Sequence, residues 1–132
     1  MQNKESLYPK DWFAKGDNDL RAAAILLKAS SLEIASFHIQ QAIEKYLKGY
    51  LLSKGWRLRR IHELDELLDE AVSYEPAFEN FRSLCEIVTE YYIEERYPFL
   101  IPSELNSDEI DEALKKTEEL LDFIKGKIGK PA

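Results

Sequence analysis

The 132-residue sequence predicts an all-α protein, an up-and-down bundle of four long helices plus one short helix. Three observations lead there. Apolar residues recur at three- and four-residue steps, as in Ala35, Ile39, Ala42, Tyr46 and Tyr50. No segment carries the strict alternation of a half-buried strand. Breaks fall where helix boundaries need them, at Pro9, Gly55, Pro76 and Pro98. At this length one domain is expected, 1–132, with its core about 10–128.

The first helix is expected from about Lys10 to Ala29, with Trp12, Gly16, Leu20, Ala23 and Leu27 along one side. Ser30 and Ser31 interrupt it, and Ser31 suits the N-cap of a second helix. That helix runs to about Lys54 and stops at Gly55, a residue at ease in the left-handed conformation of a helix C-terminus. Trp56 to Ile61 is a connector. His62 is placed to cap a short third helix, roughly Glu63 to Ser73, whose early acids suit a helix N-terminus. Pro76 fits the first turn of a fourth helix, where its missing N–H costs nothing. Phe78, Phe81, Cys85, Val88 and Tyr92 are its expected buried row. Pro98 ends it, and Pro102 stiffens the loop from Tyr97 to Asn106. Asn106 or Ser107 caps the last helix, whose row is Ile110, Leu114, Thr117, Leu121, Ile124 and Ile128.

The second helix carries the most informative pattern. Beside its apolar row, His38, Gln41, Lys45 and Lys48 step by three, four and three, so they share a face. Glu44 and Lys48 stand four apart in the favourable order for an ion pair, and Asp19 on the first helix is a partner for Lys45 or Lys48. A structural polar network and a ligand site are both open readings of this face.

Four pieces in order carry a family resemblance: Trp12 with Asp19, Leu20, Ala23, Leu26 and Leu27; the run Gln40-Gln41-Ala42-x-Glu44-Lys45-x-Leu47-Lys48; His62-Glu63-Leu64 with Leu67 and Leu68; and Tyr91-Tyr92 leading to Arg96-Tyr97-Pro98. Spanning Trp12 to Pro98, they resemble the HEPN domain family, named for higher eukaryotes and prokaryotes nucleotide-binding. The resemblance implies a helical bundle that dimerises. In many members two protomers bring together an Arg-x(4–6)-His motif that cleaves RNA without metal. Some prokaryotic members are toxins paired with a small nucleotidyltransferase, and others bind nucleotides without cleaving.

At the decisive place this chain departs from the ribonuclease pattern. Arg96 matches the family arginine, but the positions where its histidine should fall hold Ile101, Pro102 and Ser103. None transfers a proton near neutral pH. The expectation is therefore a dimeric HEPN protein that binds a nucleotide or RNA phosphate through Gln41, Lys45, Lys48, Arg96 and Tyr97. It would be the HEPN partner of a nucleotidyltransferase in a toxin–antitoxin-like module, without catalysis of its own. Two alternatives stand beside it: a metal-independent ribonuclease toxin using Arg96 with a displaced histidine, His38 or His62, and a purely structural interaction protein. Tyr91, Tyr92, Tyr97 and Phe99 gather aromatic surface near one end, suited to a subunit interface.

Charge and composition narrow the classes further. A net charge of −7 argues against non-specific nucleic-acid binding over the whole surface. Its distribution is uneven: Lys45 to Arg60 holds six bases and no acid, and Glu63 to Glu75 holds six acids and no Lys or Arg. Either one end of the molecule is locally positive or neighbouring helices neutralise one another. No segment reaches the about 18 apolar residues of a membrane span, and residues 1–6 lack the apolar core of a signal peptide, so the expected location is cytoplasmic. There is no glycine-rich phosphate loop and no metal-ligand spacing; the residues three before His38 and His62 are Ala35 and Arg59, so no metal and no cofactor are expected. The one cysteine, Cys85, reads as a buried small hydrophobe.

Overall fold

Each of the first two helices ends at a residue in the left-handed conformation. The chain is described here by a computed structural model covering residues 5–96 and 106–128, with the side chains of 92–96 outside that description. Helix α1 spans Pro9–Lys28 and α2 spans Leu32–Ser53. After α1, Ser30 has φ 62°, Ser31 N–H donates to the Leu26 carbonyl at 2.9 Å, and Ser30 N–H to that of Leu27 at 3.0 Å. After α2, Gly55 has φ 85°, with Trp56 N–H bonded to Leu51 and Gly55 N–H to Leu52. Each is a Schellman motif, and buried Trp56 adds an apolar anchor to the second.

Only one of the two turns uses glycine. A side chain in the left-handed region costs roughly 1–2 kcal/mol, against glycine's greater entropy loss on folding of about 0.5–1 kcal/mol. Ser30→Gly is expected to stabilise the fold by up to about 1 kcal/mol, read as a higher urea midpoint at unchanged slope. A loss of stability would show that the Ser30 side chain holds the turn.

Helices α1 and α2 lie antiparallel and share the most extensive contact of any pair. Their close approach needs two glycines without side chains. A Cβ at Gly16 would stand 2.5 Å from Cε1 of buried Tyr46, and one at Gly49 would stand 2.7 Å from Cε1 of Phe13. The short α3 spans Leu64–Tyr74, α4 Arg82–Arg96 and α5 Ser107–Ile128. Helix α2 touches all four others and forms the centre of the bundle, and its apolar row is fully buried. The described residues contain no strand, and the all-α bundle of four long helices plus one short is the observed architecture.

Four local expectations are corrected. Pro76 does not begin an α-helix directly: Pro76–Phe81 is a 3₁₀ stretch, and α4 follows it. The tighter turn eclipses residues three apart, so Phe78 and Phe81 both reach Phe123, with centroids at 4.9 and 5.4 Å. His62 does not cap α3; Glu63 occupies that position without a side-chain cap bond. Ser31 stands at the N-cap of α2 but likewise makes no side-chain cap bond. In α5 the buried row turns onto Leu120, leaving Leu121 half-buried and Ile128 exposed, because a straight 3.6-residue helix drifts from a strict four–three repeat. Asn106 caps this helix, its Oδ1 accepting from the N–H groups of Asp108 at 2.7 Å and Glu109 at 3.4 Å.

Candidate functional site

Along the outer side of α2 the polar residues lie partly beneath the surface. Lys48 is 0% exposed, and its ammonium donates to Glu44 Oε2 at 3.2 Å one turn back. The Glu44 side chain, 4% exposed, also faces Lys45 Nζ at 3.7 Å and His62 Nδ1 at 3.2 Å with the same oxygen. Lys45 donates to Gln41 Oε1 at 3.0 Å, and Gln41 Nε2 to Gln40 Oε1 at 2.9 Å. Six side chains thus form one continuous polar chain.

The cover comes from α1. Trp12 is buried, and its ring stands 5.2 Å from Lys48 Nζ and 5.9 Å from Lys45 Nζ, so both cations meet a π-face. Its own indole N–H is bound to the Ser6 carbonyl at 2.8 Å, which fixes the ring. Desolvation is what makes such a cluster costly, and full pairing is what permits it. No buried side-chain nitrogen or oxygen among the described residues lacks a hydrogen-bond partner.

Three of the five residues expected to bind ligand, Gln41, Lys45 and Lys48, are therefore joined in this network. They differ in access: Lys48 is sealed, whereas Lys45 retains 17% of its side-chain exposure and Gln41 is half-buried. Arg96 ends α4, and its side chain is not described; Tyr97 lies outside the described residues. The loop prolines, Phe99 and the Ile101–Ser103 positions also lie outside them.

The histidines and Asp19 take partners that sequence spacing does not reveal. Asp19 pairs neither with Lys45 nor with Lys48; its Oδ1 is 3.0 Å from His38 Nδ1. His62 is turned to Glu44, with 69% of its side chain exposed. An imidazole whose Nδ1–H donates to a carboxylate presents Nε2 away from it, here toward solvent. That pairing was missed because Glu44 and His62 are 18 residues apart and belong to different elements.

Beyond the network, the alternation of basic and acidic runs is partly neutralised. Arg82 binds Glu79 at 2.9 Å and Asp69 at 2.6 Å, and approaches Asp65 at 3.6 Å, which fastens α4 to α3 and the 3₁₀ stretch. Those carboxylates hold the guanidinium well above its usual range. Arg59 pairs with Glu70. Arg57 and Arg60 are exposed and have no ion-pair partner among the described residues. They leave uncompensated positive charge on the connector that leads to His62.

Cys85 lies in the core, and burial pushes its thiol from 9.0 up to about 12. It is no nucleophile at neutral pH. Burial, together with a hydrogen bond to Asp17 Oδ1 at 2.9 Å, also raises the Tyr46 hydroxyl. Both groups are acids favoured in their neutral form by folding, so their stabilisation is complete below the unfolded pKa and is lost as pH rises. Stability is expected to be level from about pH 6 to 8 and to decline above about pH 9, by at most about 1.4 kcal/mol per pH unit for each group. Urea midpoints at stepped pH check this, with Cys85→Ala and Tyr46→Phe together flattening the decline.

Among the described residues no group of three or more His, Cys, Asp or Glu side chains is arranged to hold a metal ion. Among the same residues no helix is long and apolar enough to cross a membrane.

A family model described as HEPN domain matches residues 9–127. The protein named "Putative toxin MJ1304" of Methanocaldococcus jannaschii is 27% identical over 140 residues, covering 92% of this chain and 91% of its own length. Among solved structures, that of ST0689, an archaeal HEPN homologue, aligns with a TM-score of 0.74 at 24% identity, over 92% of this chain and 98% of its own. This likeness is one of fold.

Proposed function

The chain belongs to the HEPN domain family, and from that premise we propose that it binds the phosphate of a nucleotide or RNA along the rim of the α2 network. In this reading Lys45 is the accessible cation, Gln41 aligns it, and Arg57 and Arg60 extend the positive field. Arg96 and Tyr97 contribute from the end of α4 and beyond. The protein works as a homodimer and as the HEPN partner of a nucleotidyltransferase in a toxin–antitoxin-like module. It does not cleave RNA itself, because the Arg96 motif lacks its histidine.

The observation that carries the reading is the local charge balance. The network holds two ammonium groups against the single carboxylate of Glu44, and the connector that leads to its His62 carries two exposed guanidiniums, Arg57 and Arg60, without an ion-pair partner among the described residues. On a chain of net charge −7 this is where an anion meets attraction. A relative whose name is "Putative toxin MJ1304" supports the toxin side of this reading.

Titration with ATP and with a short single-stranded RNA in EDTA tests the site. Lys45→Ala is expected to weaken binding about tenfold and to reduce the salt slope for RNA by about one. Because Lys45 is not sealed, the variant should fold. Equal affinity of the two proteins would remove Lys45 from any site, and absence of binding by wild type would defeat the phosphate reading.

A second reading has one observation in its favour, the exposed imidazole of His62 oriented by Glu44. An imidazole so held is suited to take the proton of a ribose 2′-hydroxyl as that oxygen attacks phosphorus and the 5′-oxygen leaves. Cleavage of RNA in EDTA, lost in both His62→Ala and Arg96→Ala, would install this reading in place of the first.

A further inference from the structure

Two contacts fix which residues of α1 and α2 face one another along the polar edge of their seam. At one end the Trp12 ring stands 5.9 Å from Lys45 Nζ, and at the other Asp19 Oδ1 is 3.0 Å from His38 Nδ1. Trp12 and Asp19 are seven residues apart on α1, and so are Lys45 and His38 on α2. Between these ends the two helices therefore run antiparallel in register for two turns. Lys15 lies inside that interval, three residues after Trp12 and four before Asp19, so it stands on the same face of α1. Across the seam from it, between Lys45 and His38, is Gln41.

Lys15 is exposed and has no ion-pair partner among the described residues. The acids one turn to either side of it are turned elsewhere: Asp11 Oδ2 accepts from the Ser6 hydroxyl at 2.6 Å, and Asp19 faces His38. Lys15 stands about 4.5 Å further along α1 than Trp12, the residue that borders Lys45. Successive phosphates of a stacked strand rise by a similar step, about 3.4 Å. Beyond Lys15, Asp19 closes the positive stretch, so the seam offers two accessible ammonium groups, Lys45 and Lys15. The amide across from Lys15 is not free to read a base or a sugar, because Gln41 has both its ends engaged, by Gln40 and by Lys45. Trp12 is buried and offers no exposed ring for stacking.

We propose that Lys15 forms a second anion position beside Lys45, and that the seam takes a ligand with two successive phosphates, whatever sugar or base they carry. The inference rests on the phosphate reading of Lys45 and extends it across to α1. One phosphate meets Lys45 at the Trp12 end, and the next meets Lys15. The polyphosphate of a nucleotide and the backbone of a single strand share this chemistry. A monophosphate engages one position alone.

Titration of the full chain with AMP, ATP and a short oligoadenylate, made as RNA and as DNA, all in EDTA, tests it. Wild type should bind ATP about tenfold more tightly than AMP, and Lys15→Ala should largely erase that preference. The two strands should bind alike, and in Lys15→Ala the salt slope for each should fall by about 0.7. Lys15→Arg should keep both properties. Lys28→Ala removes the same charge about 20 Å away along α1 and should leave the ATP preference as it was. Lys15 is exposed, so an unchanged helical circular-dichroism spectrum excludes loss of fold. A loss confined to ATP assigns the seam to a polyphosphate, and one confined to the strands assigns it to a backbone. Equal behaviour of wild type and Lys15→Ala, or an equal loss in Lys28→Ala, overturns the second position while leaving Lys45 and the proposed function standing. Wild type that binds none of the four overturns both.

Discussion

Glu44→Ala is expected to destabilise the protein by about 3–5 kcal/mol, because it strands a charge in the interior. Lys48 is 0% exposed, and Glu44 is its anionic partner. Removing the carboxylate also leaves His62 without its acceptor and takes a neighbouring charge from Lys45. The loss is a large share of the about 5–15 kcal/mol that holds a domain of this size together. Urea unfolding at pH 7 reads it directly. The double variant Glu44→Leu with Lys48→Met removes both charges and keeps apolar volume, so it should recover most of the loss. That protein also separates the two readings of α2. If it still binds nucleotide, the sealed pair is structural and the rim alone meets the ligand; if binding disappears with the fold intact, the buried charges belong to the site.

Phe78→Ala should cost a similar amount, about 3–5 kcal/mol, through a different mechanism. The ring is completely buried and stands between two others, 4.5 Å from Tyr50 of α2 and 4.9 Å from Phe123 of α5. It is where the 3₁₀ stretch is anchored to the centre of the bundle. A cavity there faces α2 and α5, each held in place by its neighbours, so little collapse can fill it. Thermal and urea unfolding should agree on the loss. A loss below about 1 kcal/mol would mean that the 3₁₀ stretch repacks freely.

The helices were legible because their signals are local. Gly55 announces the end of α2, and the apolar row from Ala35 to Tyr50 announces its buried side. The 3₁₀ stretch was not, since Pro76 serves either helix type at its first turn and the ring that Phe78 and Phe81 both meet, Phe123, lies far along the chain. The α2 face was legible as a set of residues and not as a depth. Spacing groups Gln41, Lys45 and Lys48, but only Trp12 arriving from α1 shows that Lys48 is sealed. His62 reads as a cap because a cap is the nearest use for it; its real partner needs the connector to fold back on α2. Asp19 reads as a partner for Lys45 or Lys48, and the crossing of α1 and α2 sets it beside His38 instead.

The Schellman turn at Ser30 has a consequence in time. It joins α1 to α2 through a connection of three residues, and their shared contact is therefore local in sequence. Local contacts form with little loop-closure entropy, whereas docking of α5 onto α2 closes a far longer loop. The α1–α2 hairpin is thus the expected folding nucleus, and the aromatic cluster around Phe78 joins late. In stopped-flow measurements Phe78→Ala should then speed unfolding and leave the refolding rate nearly unchanged.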